Sequence, residues 1–599
     1  MAENKLKTRD QIDSRFKWNI EAIYENIELC EKDLEKALKL SQDLLKYQGK
    51  VAESADTLLE VLKLSDEVEA TFENAFIYVH MSKDQDNKVP EYVELFGKAM
   101  GILSQISTNT SFLTPELLSN DAEKIYGFIE ENDDLKLYRF HLENILRSKA
   151  HVLSKEEEAI LASFTEVFGG PDEIYTMLTD AEFSFGEIEN EDGEKVQVTH
   201  GNYISLLMSH DRNVRKAAFE ALYSKYKEYI NTISTIYATS VKTDVVKAKV
   251  RKYPSARAAA LDDGNIPESV YDNLVQTVHE YLPVMYKYVN LRKKLLGVDD
   301  LMMYDCYVPL VQLPKKEYAF DEAFDTAKEG LKVLGEQYQK DFERARQERW
   351  IDIYENEGKT SGAYSTGGYK TNPYILLNYD GSLGNVFTLA HEMGHSLNSL
   401  YTNQTQPFPY HGYSIFTAEV CSTVNEALLM KHMLKNEKDP EVRKYLVNNY
   451  IEDFRTTLFR QTMFAEFEHW AHTVVENGGA LTADSLCEKY NELNSLYFGP
   501  EMNDAEFIKY EWARIPHFYR AFYVYQYATG YSAATAISKK ILEEGETARD
   551  NYLKFLGAGY SDYPVETLKI AGVDMSSPEP VRLAMETFKN LVEEFEKLV

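Results

Sequence analysis

The sequence predicts a mainly α-helical chain of several helical subdomains, with one small β-sheet set beside a single histidine-bearing helix. Three observations predict it. Apolar residues recur at helical spacing, opposite charged faces, over most of the 599 positions. Prolines number only 17 and rarely interrupt those runs. Strand-like stretches are few and confined to two places. A chain of this length also exceeds what one hydrophobic core usually holds, so two or more subdomains are expected.

Taken in order, Cys30 to Tyr47 and Asp56 to Ser82 alternate charged faces with Leu, Val and aromatic stripes, and residues 1–112 read as a bundle of long helices. A second helical unit occupies 113–182, with Gly169-Gly170-Pro171-Asp172 as a loop signal inside it. Phe183-Ser184-Phe185 and Lys195-Val196-Gln197-Val198 flank Asn190-Glu191-Asp192-Gly193, the pattern of a hairpin with a Gly turn. Residues 183–599 form the remaining domain. Within it, Gly362, Gly367, Gly368 and the apolar run Tyr374 to Leu377 predict a small sheet. A Gly-rich edge of that kind either receives an extended peptide as an added strand or is a plain connecting hairpin.

Composition excludes some classes. There are 65 Lys and Arg against 97 Asp and Glu, a formal charge of −32, which argues against a nucleic-acid partner because phosphate binding needs clustered cations. Cys30, Cys306, Cys421 and Cys487 have no paired spacing and read as reduced thiols of a cytoplasmic protein. Met1-Ala2-Glu3-Asn4-Lys5 opens into polar sequence without the apolar core of a secretory signal. No run approaches the roughly 20 apolar residues that cross a bilayer, so no membrane partner is expected.

The chemistry concentrates in His391-Glu392-Met393-Gly394-His395. Imidazoles four positions apart on a helix share a face, with Cβ atoms about 5–6 Å apart, close enough to grip one Zn²⁺. Glu392 is then placed to act on water as a general base instead of filling a coordination position. Asp380-Gly381-Ser382 is a turn signal with Ser382 as N-cap, and Val386, Leu389, Ala390, Met393, Leu397 and Leu400 form one apolar stripe. His391 and His395 fall nearly opposite that stripe.

A catalytic zinc takes three protein ligands. In Phe416 to Glu426, the polar groups Glu419, Ser422, Thr423 and Glu426 share a helical face among apolar neighbours. A carboxylate so placed is costly unless it is paired or holds a metal. Glu419 is therefore the expected third ligand, with Glu426 and the hydroxyls orienting the histidines. His469 and His472, three positions apart, lack a comparable third ligand and are expected to be structural. His411 is expected in a cleft loop.

These residues resemble the thimet-oligopeptidase-like zinc metallopeptidase family, and within it the oligoendopeptidase F group. Besides the pentapeptide and Glu419, the resemblance rests on Ser361-Gly362-Ala363-Tyr364-Ser365, Pro373 to Tyr379, Ala418 to Glu426, and the downstream segments Ile515 to Tyr519 and Phe522 to Gly530. It covers about residues 200–590, and the organisation suggests the whole chain. One departure is Asn398, where relatives often carry a further histidine that is not a ligand. The resemblance implies that 113–182 is the group's amino-terminal helical unit and 183–599 its catalytic domain. It implies a metal deep in a central substrate channel, which excludes folded proteins by size. It also implies that His517 and one or two tyrosines contact the scissile carbonyl. Tyr519, Tyr523, Tyr525, Tyr527 and Tyr531 crowd that segment, and Tyr527 is the first choice among them.

The expected activity is a zinc endopeptidase holding one Zn²⁺ per chain, hydrolysing internal bonds of short peptides with a metal-activated water and Glu392 as general base. A carboxypeptidase or dipeptidase on the same scaffold is the alternative, and would need a cationic clamp near the metal. A non-catalytic helical peptide-binding protein would explain the amphipathic stretches but not Glu392 or Glu419.

Overall fold

Helices built on the expected stripes carry the structure, a computed structural model that describes residues 6–312, 316–503 and 506–599. The polar opening Met1–Lys5 lies outside the described residues. Among the described residues, no helix is long and apolar enough to cross a membrane. Cys30, Cys306, Cys421 and Cys487 are all buried and unpaired.

The chain divides into two compact units, each assembled from separate stretches. The first comprises Met1–Ala150, Lys315–His432 and Ile537–Gly572. Its helices Ile27–Leu44 and Ala55–Gln85 start at Asn26 and Ser54, whose side chains accept the Leu29 and Thr57 backbone N–H groups. Cys30, Leu34, Ala37, Val68, Ala75 and Val79 are fully buried on their facing stripes, and a third helix, Pro90–Thr110, packs on both.

The far end of Ala55–Gln85 anchors the sheet. Asp84 accepts from the Tyr364 hydroxyl at 2.9 Å and the Thr360 hydroxyl at 3.0 Å. Ile351–Asp352 runs parallel to Tyr374–Leu376, which pairs antiparallel with Tyr364–Thr366, leaving the last strand at the edge. Within the first of these strands, Asp352 is fully buried. Burial opposes its charge, yet Arg9 and Lys359, the latter at 2.7 Å, hold its carboxyl below the usual range.

The second unit comprises His151–Pro314, Met433–Ala536 and Val573–Val599. Long helices, among them Ile230–Val250, Arg460–Glu476 and Ala483–Phe498, form its core. Two details differ from the sequence-based expectation. The hairpin strands are Glu187–Glu189 and Lys195–Gln197, so Phe183-Ser184-Phe185 is not a strand. The Phe183 and Phe185 rings instead pack against Tyr226, with centroids 5.3 and 6.3 Å away. Gly169 to Asp172 is not a loop either: the helix Thr165–Thr176 runs through Pro171. That helix packs on Ile230–Val250 and buries Pro171 and Tyr175, and this tertiary contact outweighs the local breaker signal.

Candidate metal centre

Helix Leu383–Thr405 begins where Ser382 accepts the Asn385 N–H at 3.3 Å. Val386, Leu389, Ala390, Met393 and Leu397 are fully buried on its inner face. At about 1.5–3 kcal/mol for each larger side chain, that stripe fixes the rotation of the helix. The opposite side presents His391 and His395, ring centroids 4.9 Å apart.

Helix Ile415–Asn436 crosses this one at unusually short range, and Gly394 makes the crossing feasible. A Cβ at Gly394 would stand 2.6 Å from Ser422 Cα and 2.8 Å from the Cys421 carbonyl oxygen. Asn425 locks the pair: its amide donates to the Ala390 carbonyl at 2.9 Å and its oxygen accepts from the Tyr338 hydroxyl at 2.8 Å. Glu419 is thereby carried to the histidines. One ligand atom from each of His391, His395 and Glu419 lies within 4.8 Å of the others. Glu419 Oε2 is 3.3 Å from His391 Nε2 and 3.7 Å from His395 Nε2.

Around these three, Glu426 Oε1 sits 3.3 Å from His391 Nδ1. The Ser422 hydroxyl donates to Glu419 Oε2 at 3.3 Å, reaching the carboxylate and not an imidazole. Burial disfavours charge on His391, but Glu419 and Glu426 at its two nitrogens prevail and push it up to about 10. Burial, with His391 nearby, takes His395 down to about 4. Glu392 is 7 % exposed, and burial pushes its carboxyl up to about 7, opposed by His391 and aided by Glu419 and Glu426. The Ser365 backbone N–H, on the edge strand, lies against that carboxylate. Among the described residues, no lysine or arginine is ion-paired to Glu392, Glu419 or Glu426. Three carboxylates and two imidazoles are thus gathered without a fixed cation, a donor set that suits a divalent metal ion.

In the second unit, the His517 Nε2 and Tyr527 hydroxyl are 3.4 Å apart. Tyr523 lies beside both, its ring centroid 6.2 Å from His517 and 5.5 Å from Tyr527. Burial, with Arg520 and Arg460, lowers the His517 pKa. Tyr525 and Tyr531 are buried, and Tyr519 stacks on Tyr175 at 4.6 Å. The polar face of the segment is therefore His517, Tyr523 and Tyr527.

Sequence reasoning missed what shapes this segment. Phe522 takes a left-handed φ of +55°, uncommon for a bulky residue. Its N–H donates to the buried Glu468 at 2.7 Å and its ring packs on His472 at 4.6 Å. No local sequence signal marks such a turn. His472 also meets the Glu468 carbonyl at 2.9 Å and Asp244 at 3.4 Å, whereas His469 lies among the rings of Tyr271 and Phe522. His411 pairs with Glu73 at 2.9 Å.

The chain matches the family description "Peptidase family M3" over residues 205–587 and "Oligopeptidase F" over residues 116–185. It is 46% identical to the oligopeptidase PepF of Bacillus subtilis over 596 residues, covering 100% of this chain and 89% of that one. It is 41% identical to the group B oligopeptidase PepB of Streptococcus agalactiae, covering 99% and 98%. Among solved structures, it is similar to the oligoendopeptidase-F from Enterococcus faecium, with TM-score 0.74, 40% identity and coverage of 95% and 98%. A structure from Chlamydophila abortus superposes with TM-score 0.92 at 34% identity, covering 99% and 100%.

Proposed function

The chain belongs to peptidase family M3 and is a metallopeptidase, and from that premise we propose that it is a zinc oligoendopeptidase cutting internal bonds of short peptides. The observation that carries the reading is the convergence of His391, His395 and Glu419 within 4.8 Å beside the buried carboxyl of Glu392. His391, His395 and Glu419 would hold one zinc ion per chain. When bound, the ion supplies Lewis acidity to the attacking water and the peptide carbonyl.

Glu392 takes the proton released as water attacks the carbonyl carbon and delivers it to the leaving amine nitrogen. Burial pushes its carboxyl up from the ordinary glutamate range, the direction that favours taking up a proton. The Ser365 N–H holds one side of it. Glu426, at His391 Nδ1, fixes the ring so that Nε2 faces Glu419. By the family resemblance, His517 and a tyrosine, Tyr527 first, are the proposed hydrogen-bond donors to the developing oxyanion, an interaction worth about 3–4 kcal/mol where such donors are preorganised. The edge strand Tyr364–Thr366, next to Glu392, is the surface along which an extended peptide pairs, using backbone bonds that ignore side-chain identity. The four unpaired thiols support a reducing, cytoplasmic setting.

The test is mass analysis of the products from a fluorogenic peptide of about ten residues, with and without chelator. Internal cuts, abolished by chelation and restored by added Zn²⁺, are expected. Products shortened only at one terminus, or turnover indifferent to chelation, would exclude the reading.

A further inference from the structure

A second charged cluster lies buried in the unit that carries His517, and its charges do not balance. Arg455 Nε and Nη2 donate to Glu452 Oε2 at 2.9 and 2.6 Å, and Arg292 Nη2 donates to Glu452 Oε1 at 2.8 Å. Arg460 Nη2 and Arg514 Nη2 donate to Glu511 Oε1 at 2.7 and 3.3 Å. Four guanidinium groups thus share two carboxylates, although the whole chain carries −32. Side-chain exposures are only 3% and 4% for Arg292 and Arg455, and 16% for both Arg460 and Arg514. A buried surplus of cations is unfavourable unless an anion accompanies it.

Three of these arginines meet around one space. Arg455, Arg460 and Arg514 line a cavity that admits an occupant of about one water molecule's size, together with Tyr203, Tyr223, Tyr307 and a single carboxylate, Glu511, so the lining carries three positive charges against one negative. Arg514 Nε donates to the Tyr223 hydroxyl at 3.1 Å. Nη1 of each of the three arginines makes no hydrogen bond to any described residue, so donors remain that the carboxylates do not use.

We propose that this cavity is a binding site for a small monovalent anion, chloride above all, held by Arg455, Arg460 and Arg514. Size excludes phosphate and a peptide carboxylate with its chain. A water molecule would satisfy donors without offsetting charge. Guanidinium groups are weakly hydrated, and give up water to a halide more readily than ammonium groups do. The anion would join three segments: Phe454–Phe459, helix Arg460–Glu476 and Ile508–Arg514, the last of which runs directly into His517. The site stands independently of the metal centre.

Bromide is the probe. Crystals of the full chain grown in sodium bromide should show an anomalous peak in contact with these guanidinium groups. In solution, the melting temperature of the full chain should rise by a few degrees and saturate as chloride replaces gluconate at constant ionic strength. Arg514→Met should lose that chloride-specific rise. No anomalous peak in the cavity would overturn the proposal. So would a peak accompanied by identical melting in chloride and gluconate, which would mark an adventitious ion only.

Discussion

Gly394→Ala isolates the helix crossing on which the proposed metal centre depends. The added Cβ would stand 2.6 Å from Ser422 Cα and 2.9 Å from Ser422 N, all of it rigid backbone. Moving from 2.6 Å to 3.4 Å, where ordinary contact begins, requires a helix shift of about 0.8 Å. Metal–ligand distances tolerate only about 0.2 Å, so Glu419 is carried out of range of an ion held by His391 and His395. Alanine gains about 1 kcal/mol of helix propensity over glycine, which offsets part of the roughly 1–3 kcal/mol cost of overpacking. Stability should therefore fall modestly while zinc affinity falls by about 10–100-fold. Competition with a chromophoric chelator measures the affinity, and thermal unfolding measures the stability. Wild-type zinc affinity with full peptide turnover in Gly394→Ala would refute the claim that this close approach sets the ligand geometry.

Glu392→Gln should lower peptide hydrolysis by at least about 100-fold, with zinc content by elemental analysis unchanged near one per chain; metal loss in that variant would recast Glu392 as a ligand. Glu419→Ala should purify without stoichiometric zinc, and retained metal would reassign the third ligand. Burial opposes the charge on Glu452, but Arg455 and Arg292 prevail and hold it down to about 2, against 4.5 for a free glutamate. Its contribution to stability is therefore complete above pH 4.5 and lost as the pH falls toward 2. Denaturant unfolding across that range should show a steeper acid limb in wild type than in Glu452→Gln, and parallel curves would count against the assignment.

The legible part of this protein is its local periodicity. The stripe from Val386 to Leu400 fixed which side of one helix faces inward, and the four-residue step put His391 and His395 together on the other side. The carboxylates at Glu419 and Glu426 stood out because they interrupt apolar sequence. Turn chemistry at Asp380-Gly381-Ser382 marked the helix start. Where local signals met strong tertiary contacts they failed: Pro171 sits inside a helix because Ile230–Val250 packs along it, and Phe183 left its strand for the Tyr226 ring.

Sequence alone, then, determined the helical class and singled out the residues of the candidate centre, because both follow from periods of a few residues along one chain. The tertiary structure decided what depends on distance between remote segments. It set the Gly394 crossing that carries Glu419 to the histidines and the Ser365 N–H that meets Glu392. It also set the left-handed turn at Phe522 and the gathering of four arginines on two carboxylates. Such contacts arise from how rigid, already formed helices fit together, and no short-range pattern encodes that fit.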